Sequence, residues 1–412
     1  MEFDTKCVIA GGGPAGMVAG LLLARCGVPV VVLEKHADFL RDFRGDTIHP
    51  STLQLLDELG LMSEFEKINF STVSQAQFPS GDGSATTVVN LAKLKHPYPF
   101  IAMAPQWDFL NLLARAGEAE DNFELRMNCQ VLDVLSEGDR IVGVRYSSPD
   151  GIQDLKALLT IAADGRWSRV RDVAGIAMKD YSVPLDVWWF KVPGVLKRPN
   201  ALSPAFAQDK TFVLIPRSDY VQTAMLLPKG MDAEIRAQGV DAWRRSIVEA
   251  APELTEGVSK LSLDDAKLLD VKLNRARRWW RSGLLCIGDA AHAMSPVGGV
   301  GINLAVQDAV AAARILAEPL RTLKISDRDV ANVQNRRLAP TIVVQSIQRL
   351  MHLGLRRVMR GSEEVALPAS VASLLRRFPK IGVIPARLLA VGVIQEHSPL
   401  EARRTAGNDL PG

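Results

Sequence analysis

The chain has 412 residues, 47% of them hydrophobic and 23% charged, with a formal net charge of +3. This ordinary globular composition excludes disordered, collagen-like and coiled-coil classes, and the length allows a large core. The balance of 49 basic and 46 acidic residues leaves no polyelectrolyte face, so no nucleic-acid partner is expected.

The first uncharged run, residues 7–24, is 18 residues long, which is near the length of a membrane span or a signal-peptide core. Its flank is wrong for export, because residues 1–6 carry two acids and one base. Gly11, Gly12, Gly13 and Pro14 would also break a spanning helix in its middle. The spacing predicts instead a strand over 7–10, a turn, a helix over 15–25 and a second strand over 28–33. Gly11, Gly13 and Gly16 then form G-x-G-x-x-G. In that context Gly11 permits a tight turn, Gly13 lets a pyrophosphate approach, and Gly16 lets helix and strand pack closely. The helix N-terminus offers N–H groups to phosphate. Glu34, with Lys35 beside it, ends the second strand where a ribose diol would lie.

A helix is expected over 50–61, irregular strands over 70–100, and an amphipathic helix over 108–117. Strands follow over 123–146 around a turn at 137–139, then over 158–163. Residues 181–275 change character, with Trp188, Trp189 and Phe190 adjacent and strands at 211–215 and 220–227. Alternation prevents all three aromatics from facing one side of a strand, so at least one is expected in the core and Trp189 is a candidate pocket residue. A strand over 284–287 returns the chain to its opening sheet. A helix over 305–317 is expected to stop near Pro319, and the chain from 343 onward reads as largely helical. Residues 341–412 hold ten Lys/Arg and five Asp/Glu. A packed helical tail is expected there rather than a membrane-surface helix, because Pro385 sits within the apolar stretch 381–394. Cys7, Cys26, Cys129 and Cys286 form no C-x-x-C pair, which argues against a disulfide framework and fits a reducing, cytoplasmic setting.

Two further motifs carry the assignment. One is Asp164-Gly165-Arg166-Trp167-Ser168-Arg169-Val170-Arg171. The other is Gly288-Asp289-Ala290-Ala291-His292, continuing through Pro296-Val297-Gly298-Gly299-Val300-Gly301-Ile302-Asn303. With the opening glycine loop, in this order and spacing, they resemble the single-component (group A) flavoprotein aromatic hydroxylases. These are FAD monooxygenases with the para-hydroxybenzoate hydroxylase fold. The segment Phe43-Arg44-Gly45-Asp46-Thr47-Ile48-His49-Pro50 and residues 288–303 are most similar to the bacterial branch related to ubiquinone-biosynthesis hydroxylases. The resemblance covers roughly residues 1–345.

The resemblance implies an α/β fold. A Rossmann-like FAD-binding domain of three-layer β-β-α character would be built from discontinuous segments, 1–180 and 276–345. A sheet-rich substrate domain over 181–275 would be inserted, joined by strands near 73–97, and a helical region would follow over 346–412. It implies that Gly11, Gly13, Pro14, Ala15, Gly16 and Glu34 hold the AMP half of FAD. Arg44 would lie near the pyrophosphate, Gln106 toward the flavin, and Val131 against adenine. Asp164 would serve FAD and the nicotinamide cofactor. Gly288 and Asp289 would meet the ribityl or pyrophosphate region, and Gly298, Gly299, Gly301, Ile302 and Asn303 would wrap the isoalloxazine ring. The N–H groups of 301–303 suit the negative charge of reduced flavin. Pro296 would point its carbonyl toward the substrate pocket.

His49 is a further pocket candidate, and His292 reads as a structural or flavin-adjacent residue. No metal is expected, since no other His or Cys completes a site. The implied reaction is NADH- or NADPH-dependent hydroxylation of a phenolic or heteroaromatic small molecule by O2, through a flavin C4a-hydroperoxide. The alternatives are Baeyer–Villiger oxidation, epoxidation or reductase chemistry on the same fold, or hydroxylation of a quinone precursor. No catalytic side chain is singled out, and a monomer or homodimer is expected.

Overall fold

The computed structural model describes residues 2–40, 47–79, 85–196, 201–207, 210–217, 219–359, 373, 377–378 and 383–404. The opening run is a strand, a turn and a helix: Thr5–Ala10 is fully extended, and Pro14–Arg25 is helical with Pro14 in its first turn. Proline is well placed there, since its missing N–H would have no helical partner. Ten residues of this helix, Ala15 to Ala24, are buried, which explains the absence of charge through the run.

The central sheet is mostly parallel. Its order runs from Trp280–Arg281 through Leu284–Cys286, Gly151–Ala162, Thr5–Ala10 and Val30–Leu33 to Phe123–Arg126. Thr5–Ala10 lies between the strands at 151–162 and 30–33, parallel to both. Leu284–Cys286 joins the far side of 151–162, also parallel, so the late segment completes the sheet that the first residues begin. One face packs against the helices Pro14–Arg25, Gln106–Glu118 and Gly301–Arg321. The other face packs against the antiparallel strands Gln130–Glu137 and Arg140–Ser148, with Trp279 fully buried between. The sheet, strand layer and helix layer give the β-β-α architecture.

A second, seven-stranded sheet is built mainly from residues 185–269. Gln75–Pro79 and Ala85–Asn90 extend one edge of it, through parallel pairing of 75–76 with 201–202. In its strand Leu185–Pro193, Trp188 and Phe190 are fully buried and meet Trp243 edge-on. Trp189 points to the opposite face. This is the two-residue alternation of a strand, and it removes two of the three aromatics from any pocket.

The helical segments depart from expectation. Helix Gly301–Arg321 begins four residues earlier than predicted and continues through Pro319. A proline in the last turn removes only one backbone bond, and the Thr322 N–H and hydroxyl both reach the Glu318 carbonyl to finish the helix. The next helix runs from Asp327 to Met359 through Pro340, so the helical stretch read from 343 onward opens earlier. Ser326 opens it by bonding the Asp329 carboxylate with its N–H and its hydroxyl. Residues 394–404 return to the first domain: Glu58 accepts from the Ser398 N–H and hydroxyl, and Arg25 reaches the Ala402 carbonyl.

Candidate active site

Three loops meet at one end of the parallel sheet. In the first, Gly11 has φ +105°, and a side chain there would lie 2.5 Å from the Ala163 carbonyl oxygen. At Gly16 a side chain would lie 1.9 Å from the Gly11 carbonyl oxygen. Both positions therefore require glycine for close packing. Gly13 differs, because a Cβ on it meets nothing within 4 Å. It is the N-cap of helix Pro14–Arg25, with extended backbone and no side-chain cap. The helix thus presents unpaired N–H groups to an open space bordered by glycine.

Glu34 sits beside this space. One carboxylate oxygen accepts from the Gly12 N–H at 2.9 Å and the other from the His36 N–H at 3.1 Å. The neighbouring strand fixes it, since the Glu34 N–H donates to the Arg126 carbonyl and the Cys129 N–H to the Glu34 carbonyl. Val131 follows in the same layer and is buried, whereas Lys35 is exposed. Gln106 opens helix Gln106–Glu118, partly exposed. Arg44 lies outside the described residues.

The second loop follows strand Gly151–Ala162. The Asp164 carboxylate accepts from the Ser168 hydroxyl at 2.5 Å and from the Val170 N–H at 3.1 Å. Its side chain therefore holds the local turn and the start of helix Arg169–Val173, the role of a cap. Burial pushes its pKa up, against those hydrogen bonds. From the same loop Arg171 reaches the Ala290 carbonyl and Arg166 approaches the Asp289 carboxylate at 3.5 Å. The second and third motifs are thereby joined.

The third loop begins at Gly288, whose φ is +58° and which lies between Ala15 and Ala305. It packs the opening helix against helix Gly301–Arg321 and brings Asp289 to the shared opening. The Asp289 side chain is 29% exposed. Farther on, the Pro296 carbonyl accepts from the Gly299 N–H at 2.9 Å. It closes this turn with one of its two lone pairs. The Gly299 carbonyl accepts from the Thr47 hydroxyl and from the His49 ring N–H, each at 2.9 Å. His49 is therefore a support for the glycine loop. Gly301 starts its helix with no side-chain cap, so the N–H groups of Gly301, Ile302 and Asn303 lack helical partners. The Asn303 side chain is fully buried against Ser51 and the Ala390 carbonyl, leaving only its backbone for this opening.

Burial pushes His49 down to about 4. An unfolded histidine takes a proton below about 6.5, while the folded one takes it only near 4. Stability should therefore fall as pH drops through that window, by up to about 3 kcal/mol. His49→Gln should flatten this part of the pH profile in urea unfolding, and an unchanged profile would remove His49 as its cause.

The sequence reading missed the buried charge network behind the third loop. The Asp308 carboxylate accepts from Arg337 at 2.9 Å and from the Gly288 N–H at 3.1 Å, and pairs with His292 Nε2 at 2.6 Å. Arg337 also pairs with Glu396, which Arg314 and Arg336 approach. His292 is thus a structural partner of Asp308. The available signal was one Asp within the apolar face of helix 301–321, since a buried carboxylate needs a partner. Among the described residues, no group of His, Cys, Asp or Glu could hold a metal ion.

The arrangement fits an extended dinucleotide. There is an open cradle at Gly13 facing helix N–H groups, a carboxylate at Glu34, another at Asp289, and a second uncapped helix start at Gly301. The FAD binding domain family matches residues 4–345. The 6-methylpretetramide 4-monooxygenase of Streptomyces rimosus is 33% identical over 91% of this chain and 90% of its own length. The para-nitrophenol 4-monooxygenase of Pseudomonas sp. (strain WBC-3) is 28% identical over 75% of this chain and 77% of its own. The anhydrotetracycline hydroxylase OxyS of Streptomyces rimosus shares the fold with a TM-score of 0.73 at 20% identity, covering 94% of this chain and 76% of that one. The chain belongs to the FAD binding domain family and, within it, to the group A FAD-dependent aromatic hydroxylases and monooxygenases.

Proposed function

We propose that the protein uses NADH or NADPH and O2 to hydroxylate a phenolic ring. The observation that carries this reading is an apolar sheet face beside the glycine loop. Trp189 and Val213 pack on Leu185, Val187 and Ala224, and Val297, from the loop leading to Gly301, packs on the same cluster. Trp189 also meets the cluster of Val73, Met103 and Ile215. An apolar, partly buried aromatic wall suits a flat ring and excludes water from it. The relative acting on para-nitrophenol supports a phenol as the substrate class.

In this reading Gly11, Gly13, Pro14, Ala15, Gly16 and Glu34 hold the adenosine and pyrophosphate, and Asp289 the ribityl region. Bound FAD supplies the redox chemistry that couples nicotinamide oxidation to transfer of one oxygen atom. The protein's part is positional and electrostatic. The N–H groups of Gly301, Ile302 and Asn303, at a positive helix end, stabilise negative charge on the reduced ring. The Trp189 face holds the substrate ring and keeps water out. No second G-x-G-x-x-G unit is present for the nicotinamide cofactor, consistent with a transient encounter.

Phenols screened for stimulation of NADH or NADPH oxidation test this reading, and no stimulation by any ring compound would count against it. With the best phenol, Trp189→Ala should raise KM about tenfold at unchanged FAD content. An unchanged KM would remove Trp189 from the pocket. Asp289→Ala should weaken FAD binding by about 1–3 kcal/mol. Fluorescence titration of the apoprotein checks this, and an unchanged Kd would refute the role.

A further inference from the structure

The glycine loop that starts helix Gly301–Arg321 is gripped from outside the family-matched residues 4–345. Gln348, fully buried on helix Asp327–Met359, makes three bonds to it. Its Oε1 accepts from the Ser295 N–H at 3.2 Å, and its Nε2 donates to the Ser295 and Val297 carbonyls, each at 2.8 Å. One turn on, buried His352 pairs through Nε2 with the Ser295 hydroxyl at 2.9 Å. That hydroxyl oxygen also accepts from the Val297 N–H at 3.3 Å. The two side chains therefore satisfy, directly or through Ser295, both N–H groups and both carbonyls of residues 295 and 297. A loop rich in glycine has little intrinsic preference for one path, so these bonds select it.

We propose that Gln348 and His352 are positioning residues for the flavin ring. They clamp residues 295–297 and so aim the N–H groups at 301–303. This rests on the reading of 298–303 as the flavin loop. It separates two tasks: the Gly11–Gly16 loop and Glu34 retain the cofactor, while the C-terminal helix sets the ring environment. Their removal should therefore change flavin chemistry more than flavin content. With the clamp gone, the helix N–H groups meet the anionic reduced ring less well, and the flavin midpoint potential falls.

The test uses Gln348→Met, which keeps length but not hydrogen bonding, and His352→Leu, with Gln348→Glu and His352→Gln as conservative partners. Hydrogen exchange on the apoprotein comes first, because it needs neither FAD nor substrate. In the wild type the Ser295 amide should be protected relative to that of Ile302. Gln348→Met should speed Ser295 exchange about tenfold or more, and His352→Leu should do the same at Val297. An unprotected wild-type Ser295 amide would overturn the clamp even if no variant folds. In the holoenzyme, Gln348→Met should keep its FAD, show a lowered midpoint potential, and form less product per NADH or NADPH consumed. Gln348→Glu and His352→Gln should restore part of each. Faster exchange with wild-type potential and coupling would make the clamp purely structural and overturn the proposal. If exchange responds as expected but no reducible flavin is bound, the flavin reading fails and the clamp stands.

Discussion

Gly13→Val is expected to fold and to lose FAD. The two halves of that result come from different measurements on the same residue. Gly13 has ordinary extended backbone, φ −75° and ψ −179°, so a branched side chain adds no left-handed strain. A Cβ there meets nothing within 4 Å. The cost to the fold should be about 1 kcal/mol, that of a poorer N-cap. The same side chain occupies the space in front of the helix N–H groups, where a pyrophosphate must come. Each charge-assisted bond lost is worth about 1.5–3 kcal/mol, so affinity should fall at least about tenfold. Gly16→Ala is the contrasting case. Its methyl group would lie 1.9 Å from the Gly11 carbonyl oxygen, so the loop itself must distort. Thermal unfolding and the flavin absorbance of the purified variants separate the cases. A Gly13→Val protein with full FAD occupancy would overturn the phosphate-loop assignment.

Asp308→Ala should cause a large loss of stability, about 3–5 kcal/mol. Asp308 and Arg337 are both fully buried, and the change leaves the guanidinium without one of its two carboxylates. It also leaves the Gly288 N–H and His292 without their acceptor, so the loop bearing Asp289 should loosen and FAD affinity should fall with stability. Burial raises the Asp308 pKa, but His292 and Arg337 outweigh it and hold the carboxylate below the usual range. The sign follows from linkage: the contribution is fully present above about pH 4 and is lost as pH falls through the folded value. Acid unfolding should therefore be steep below the window assigned to His49. Urea unfolding of Asp308→Ala at neutral pH checks the magnitude, and a change under about 1 kcal/mol would remove the network as a main support.

Much of the nucleotide-binding half was legible because its chemistry is local in sequence. Gly11, Gly13 and Gly16 act on each other and on one helix end, and Glu34 follows on the next strand. The charge-free stretch at 7–24 was equally readable, since a buried strand and a buried helix need no charge. What was not legible depends on distant partners. Asp308, Arg337 and Glu396 become a network only when two helices and the 394–404 segment pack together. Gln348 and His352 acquire their role from contact with residues more than fifty positions away. The turn in which the Pro296 carbonyl accepts from the Gly299 N–H was likewise not legible, since the sequence does not reveal its geometry. Helix 301–321 passes Pro319 because one proline in a last turn costs little, and the start at Asp327 was not read although Ser326 and Asp329 supply its cap.

The proposed reaction transfers one oxygen atom from O2 to an aromatic ring. The direct measurement is the reaction under 18O2, with NADH or NADPH and the phenol that most stimulates its oxidation. The expected product is a hydroxylated ring carrying one 18O atom, with no label when the 18O is supplied in water instead. A reduced product, or a hydroxyl oxygen drawn from water, would contradict it.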